Sequence, residues 1–477
     1  MNATAKIARR EFKIANVQGN ILRGYKFTMV RYLFLEVPDT AADRARARAF
    51  LGTAASGGSA TVPAITGESD NKWDTKPDSC FNIGITYEGL KALGTPPEHL
   101  ASFPTEFIEG MARRAMKLGD FGDSAPANWP APFDQPKRVH IIAAIYANEA
   151  DSLDAVEAQV TPHFSKLPGK RDGQSLNDDK VHFGYRDSIS QPRFEHVADA
   201  SQDGNSEPID PLGTALLGHE SRYEGVMFGV PTPEVLGLDG TFNAFRILEQ
   251  DTEGFEAYLK AKAESLKNNA KAHMLLAPGD EGRIGPGLDW VGAMSEIIAA
   301  QMCGRWRNGR PYETSPDTPL PDPQKEGGPS LTNFDYTRTS RCPAGSHVRR
   351  CNPRGGPIVQ RIANYTRRLV RRGMPYETPD KKERGLLGNF IGASIGAQFE
   401  AVMCDWMNLG LHDPTVTGTN DPLIGANAPE TSWFDLMLPD GSAIRLDKLP
   451  RFVTTRGGAY AFLPSLPAIR WLSELRT

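Results

Sequence analysis

Between Arg341 and Tyr376 the chain sets one histidine among many guanidinium groups. The run Arg341, Cys342, Pro343, Ala344, Gly345, Ser346, His347, Val348, Arg349, Arg350, Cys351, Asn352, Pro353, Arg354 leads into a short strand-like stretch, 358–363. A second basic cluster follows, Arg367, Arg368, Arg371 and Arg372, and ends in Gly373, Met374, Pro375, Tyr376. Fixed positive charge nearby disfavours a second positive charge on an imidazole, and neutral imidazole is the form that ligates metals. Seven arginines between Arg341 and Arg368 also suit an anionic ligand, because guanidinium stays charged and grips carboxylate or phosphate bidentately.

The same residues admit plainer readings. A lone histidine is most often structural, and arginine clusters are usually solvated faces. Cys342, His347 and Cys351 offer three candidate zinc ligands, where zinc usually takes four at closer cysteine spacings. A thiolate from the Cys342-Pro343 pair is a candidate ligand for haem iron, ranked below His347.

A chain of 477 residues exceeds the size at which one core stops growing, so two domains or two pseudo-repeated halves are expected. The hydrophobic fraction, 39%, is enough to fill cores, and a formal net charge of −4 gives no global attraction to nucleic acid. The arginine-rich stretch is therefore local and suited to a small anion. Five cysteines, an odd and low number for this length, argue against a disulfide framework and fit a reducing compartment. No apolar leader follows the basic residues of 1–13, and no run approaches the roughly 18 apolar residues of a membrane span. A soluble, cytoplasmic protein with no membrane or nucleic-acid partner is expected. Export by an unmarked route or packaging in a compartment stays open.

The elements that must position these residues alternate. Runs rich in β-branched and aromatic residues predict strands at 29–37, 80–87, 139–146, 181–185, 225–230, 241–248 and 452–462, the last with a bulge at Gly457-Gly458. Helices are expected at 42–51, 104–118, 149–160, 252–268, 290–303, 397–409 and 463–475. The second of these should bury Phe107, Ile108, Met111, Ala115 and Met116 on one face, and the helix at 397–409 should turn Phe399, Val402, Met403 and Trp406 inward. The polar stretch 198–213 reads as the linker between an N-terminal half, 1–205, and a C-terminal half, 206–477. An α+β fold is the natural outcome.

A second constellation lies in the first half: His182, Phe183, Gly184, Tyr185, Arg186, Asp187, Ser188, Ile189, Ser190, Gln191, Pro192. A strand ends at a glycine and a tight turn carries Asp187, a place where scaffolds put reactive groups. The plainer reading is an Asx-turn in which Asp187 only satisfies backbone N–H groups.

Taken together, these segments resemble the dye-decolorising peroxidases. The family's G-x-x-D-G motif is similar to Gly184-Tyr185-Arg186-Asp187-Ser188. Its proximal-histidine segment is matched at Cys342, Pro343, His347, Arg349, Pro353 and Arg354, and its distal-arginine segment at Arg371, Gly373, Pro375 and Tyr376. Further matches run from Val17–Tyr25 through Thr86–Leu90, Gly304–Trp306 and Gln398–Glu400 to Gly457–Ser465, so the resemblance covers nearly the whole chain. One position departs from the pattern: Ser188 replaces the motif's second glycine, and serine there is strained by roughly 1 kcal/mol or more if φ is positive.

The resemblance implies an α+β protein of two ferredoxin-like halves, antiparallel sheets flanked by helices, with haem mainly in the C-terminal half. It implies one haem b per chain, hydrogen peroxide and a small aromatic reductant as partners, and a homo-oligomer as an open possibility. His347 would bind iron, with Glu400, Asp405 or Asp447 accepting its second N–H. Asp187 would act as general base then acid, with an acidic optimum expected from an ordinary carboxyl near ~3.9. Arg371 would stabilise charge as the O–O bond breaks. Arg349, Arg354 and Arg361 would meet the propionates, and Gly184, Ser188 and Ile189 would border the cofactor. The alternative function is a haem-binding or haem-handling protein with little peroxidase turnover.

Overall fold

The computed structural model describes residues 12–69, 73–197, 207–223, 225–323, 330–337, 341–355 and 365–475. Its strands are β1 (Met29–Glu36), β2 (Ser79–Ile85), β3 (Ile141–Ala147), β4 (Ser165–Lys166), β5 (Arg171–Gln174) and β6 (Thr241–Gln250). They continue with β7 (Val370–Arg371), β8 (Met374–Glu377), β9 (Arg384–Gly392), β10 (Phe434–Met437), β11 (Ala443–Leu446) and β12 (Val453–Leu463). Among the described residues, ten of these form one sheet in the order β4-β1-β3-β2-β12-β6-β9-β7, with β5 paired to β1 and β8 to β9. The paired strands are antiparallel. Strands β1 and β3 are buried along nearly their whole length, β3 at every residue. This near-continuous burial is why their sequences read as apolar runs rather than alternating ones.

The sheet curls until its ends meet. A Cβ on Gly173 of β5 would lie 3.1 Å from the Pro375 carbonyl oxygen and 3.2 Å from Met374 Cβ, both on β8. Closure of this kind removes exposed strand edges. The strands of the two halves therefore join edge to edge, β12 lying between β2 and β6.

Helices cover the outside. Ala41–Ala55 packs against the final helix, Leu466–Ser473. Trp290–Cys303 is capped by Asp289, whose side chain accepts from the Gly292 N–H, and ends at Gly304 with φ +86°. Apolar side chains around nearly its whole circumference mark it as a core helix. No helix among the described residues is long and apolar enough to cross a membrane.

Several expectations are corrected. Residues 104–118 do not form one helix; Gly110, with φ +75°, breaks them into Thr105–Glu109, Met111–Arg114 and Ala115–Leu118. Met116, expected inside, is 76% exposed. Residues 397–409 lie within π-helical turns, Ile395–Glu400 and Val402–Asn408, a wider winding that apolar periodicity does not separate from an α-helix. Residues 181–185 form a turn closed by an isolated Lys180–Arg186 bridge, and 225–230 form no strand. The stretch 358–363, Arg361 included, lies outside the described residues, as do 198–206 of the expected linker. Its remainder is not a solvated linker, because Glu207 and Asp210 are buried and paired with arginines.

Candidate active site

His347 opens a five-residue helix, His347–Cys351, preceded by Ser346 in extended conformation. The Ser346 hydroxyl donates to the Gln301 carbonyl at 2.5 Å, tying this helix to the buried Trp290–Cys303 helix. Arg350 pins its other side. Its guanidinium donates to the carbonyls of Gly345, Trp406 and Thr419 at 3.0, 2.9 and 3.0 Å and to Thr419 Oγ1 at 2.6 Å. Two residues after Thr419 stands Asp421.

Asp421 is the partner of His347: Nδ1 lies 3.0 Å from Oδ2. The other carboxylate oxygen accepts from the backbone N–H groups of Leu423 and Ile424, each at 2.9 Å. Burial would raise the Asp421 carboxyl, but the His347 imidazole and Arg350 outweigh it and hold it below the ordinary value. Such a carboxylate fixes the ring's orientation and places the proton on Nδ1, which leaves Nε2 as the ligating atom. This corrects the three carboxylates expected from sequence. Glu400 is bound by Arg114 and Tyr460, Asp405 by Arg367, and Asp447 by Lys262. In front of Nε2 stands Cys351, its Sγ 3.6 Å away.

Asp187 sits on a tight turn. Its N–H donates to the Asp179 carbonyl at 2.7 Å, and the Arg186 N–H to that of Arg307 at 2.9 Å. Gly184 has φ +80°, and a side chain there would meet the Arg307 guanidinium. Ser188 has φ +58°, so the departure from the motif falls in the left-handed region where serine carries strain. Ile189 packs over Gly309. Burial pushes the Asp187 carboxyl up, while the Ser188 N–H and the Arg371 charge pull it partly back.

Arg371 lies on β7, opposite Phe390 of β9. Its guanidinium donates to the carbonyls of Ser190 and, at 3.1 Å, Leu369. Burial lowers it, and the charges of Cys351 and Asp187 act to raise it. Arg371 thus links the Asp187 turn to the face of His347 where Cys351 stands.

Among the proposed anion-binding arginines, Arg349 donates to the Cys342 carbonyl at 2.6 Å, pairs with Asp413 and stacks over Tyr336. Arg354 pairs with Glu207 at 2.5 Å and lies over Phe334, while its buried Nε has no acceptor among the described residues. Glu207 also binds Arg368.

A model of the dyp dimeric alpha+beta barrel domain matches residues 16–168. Peroxidase 2 of Mycetinis scorodonius is 26% identical over 509 residues, spanning 98% of this chain and 89% of its own length. The multifunctional dye peroxidase DyP2 of an Amycolatopsis species is also 26% identical, over 96% of this chain and 95% of its own. A solved dye-decolorizing peroxidase in complex with 2,6-dimethoxyphenol superposes with a TM-score of 0.76 at 26% identity, covering 97% of this chain and all of the other. The chain is thus similar to dye-decolorising peroxidases over nearly its whole length, which supports a peroxidase, an oxidoreductase; dye-decolorising peroxidases use haem.

The residues present fit an iron porphyrin. Asp187 and Arg371 keep solvent-accessible surface, and 26% of the His347 side chain is accessible. Burial raises the Asp187 carboxyl and lowers Arg371, whereas at His347 burial is outweighed by Cys351 and Asp421, which raise the imidazole. These residues offer an imidazole for a metal, a carboxyl and a guanidinium for chemistry beside it, and the unfilled donor of Arg354 for an acidic substituent.

Proposed function

We propose that this peroxidase binds one haem b per chain and uses hydrogen peroxide to oxidise phenolic or dye-like donors. One observation supports the reading above others: Arg371 interacts electrostatically with both Asp187 and Cys351, the residue in front of His347 Nε2, though Asp187 and His347 lie 160 positions apart. The 2,6-dimethoxyphenol held by the related enzyme supports a phenolic donor.

When bound, haem supplies an iron that exchanges electrons with peroxide and with the donor. His347 holds that iron through Nε2, and Asp421 keeps the proton on Nδ1. For Nε2 to coordinate, the Cys351 thiol must give way. Asp187, ionised, accepts a proton from one peroxide oxygen and delivers it to the other, as base and then acid. Arg371 presents a fixed positive donor to the oxygen on which negative charge grows, a role worth several kcal/mol in comparable sites. The same charge favours the ionised form of Asp187. Arg354, with Arg349 beside it, is the reading for the propionate end. Arg361, outside the described residues, is a further candidate for that end. Gly184, Ser188 and Ile189 shape the wall beside Asp187.

An absorption spectrum of the haem-reconstituted protein, before and after one equivalent of peroxide, tests the proposal. A Soret band that shifts on mixing and returns on adding 2,6-dimethoxyphenol is expected. A protein that takes up no haem, or whose band is indifferent to peroxide, refutes it.

A further inference from the structure

Within the curled sheet lies a pocket of about 30 Å³. Its polar lining comes from Asn20, Tyr32, Asn82, Tyr146, Asn243 and Asn389. Apolar residues and glycines complete the wall, and no charged side chain faces it. Asn243 and Asn389 are only 5% and 6% exposed, and among the described residues the Oδ1 atom of each lacks a hydrogen-bond partner. The Tyr32 and Tyr146 hydroxyls lie 3.3 Å apart. The Tyr32 hydroxyl also reaches the Asn389 side chain, and the Tyr146 hydroxyl those of Asn20 and Asn389. The chamber therefore holds two idle acceptors, groups that proteins seldom leave unpaired in their interiors.

We propose that this chamber is a built site for two water molecules. A water needs roughly 10–15 Å³ of such volume and two to four polar partners, so the space and the partners suit a pair. The absence of charge from the lining excludes ions and leaves small neutral molecules that both donate and accept. One water donates to Asn243 Oδ1 and the other to Asn389 Oδ1. The pair also braces the active site from behind. Asn389 belongs to β9, its backbone carbonyl accepts from the Arg372 N–H at 2.9 Å, and the next residue, Phe390, pairs with Arg371. None of this depends on haem.

Crystals of the full chain, native and pressurised with xenon, test the proposal, because a dry cavity takes up xenon and a hydrated polar one does not. Two water peaks bonded to the Asn243 and Asn389 oxygens, with no xenon, are expected. Asn389→Leu should remove one peak. Oxygen-17 relaxation dispersion of the unmodified protein gives an independent count, needing no variant that folds. Xenon in the native chamber, or no long-lived internal water there, overturns the proposal.

Discussion

The side-chain amide of Gln191 binds both backbone groups of Arg371: Oε1 accepts from its N–H at 3.0 Å and Nε2 donates to its carbonyl at 2.9 Å. A residue of the Asp187 turn thus behaves as a further strand partner for β7, and it sets Asp187 and Arg371 in fixed relation.

Loss of that clip should disturb Arg371 without touching the haem ligand. Gln191→Ala is expected to lower kcat/KM for peroxide by about tenfold, equivalent to about 1.4 kcal/mol. Arg371→Leu should cost at least as much. Stopped-flow mixing with peroxide measures both, and an unchanged Soret maximum and haem content show that binding is intact. Wild-type rates in Arg371→Leu would remove the role assigned to that residue.

Haem retention should instead follow the other pair. Asp421→Asn keeps an acceptor for Nδ1 but loses its charge, and is expected to weaken haem binding by about 10- to 100-fold. His347→Ala should release haem altogether. Titration of haem-free protein followed at the Soret band gives both affinities.

The pH profile should respond to Arg371. In the proposed role Asp187 acts as base when ionised, so activity should be present above its carboxyl's titration point and lost as pH falls through it. Burial places that point above the ordinary carboxylate value and Arg371 pulls it partly back. Removing the guanidinium with Arg371→Leu should therefore move the acid limb of the kcat/KM profile to higher pH. A limb that stays in place would assign it to another group.

Acid should also weaken the fold through His412. This ring is 1% exposed, its Nε2 donates to the Ala344 carbonyl at 2.8 Å, and Nδ1 has no partner among the described residues. Burial, aided by Arg350, pushes the imidazole down to about 4. The unfolded chain, titrating near ~6.5, binds the proton first, so stability is complete above that pH and falls as pH drops toward 4. The loss amounts to about 2–3 kcal/mol by the linkage relation. Urea midpoints of the wild type and His412→Gln at pH 7 and pH 4.5 check it, the variant being the less pH-sensitive.

Ser188 makes a simpler prediction. At φ +58°, Ser188→Gly relieves left-handed strain and should raise stability by up to about 1 kcal/mol, after the entropy glycine adds to the unfolded chain. Denaturant midpoints suffice to measure it.

What the sequence disclosed follows the range of the forces involved. The Trp290–Cys303 helix and the strands β6 and β12 were legible because apolar runs and capping residues are local signals. His347, Asp187 and Arg371 stood out through neighbouring glycines, prolines and arginines. Asp421 did not, because its separation of 74 positions from His347 is bridged only by tertiary packing, through Arg350 and the Thr419 turn. Residues 181–185 misled because Phe183 and Tyr185 are buried side chains of a turn, and burial alone does not distinguish a turn from a strand. The carboxylate of Glu207, hidden in a stretch that looked solvated, is stabilised by arginines some 150 residues away.

The place of β12 bears on how the protein is made. Until residues 453–463 leave the ribosome, β2 and β6 each present an unsatisfied hydrogen-bonding edge to solvent or to other nascent chains. Premature termination before this strand would therefore yield not a smaller enzyme but a sticky fragment, and chaperone demand during translation should peak just before the final hairpin partner emerges.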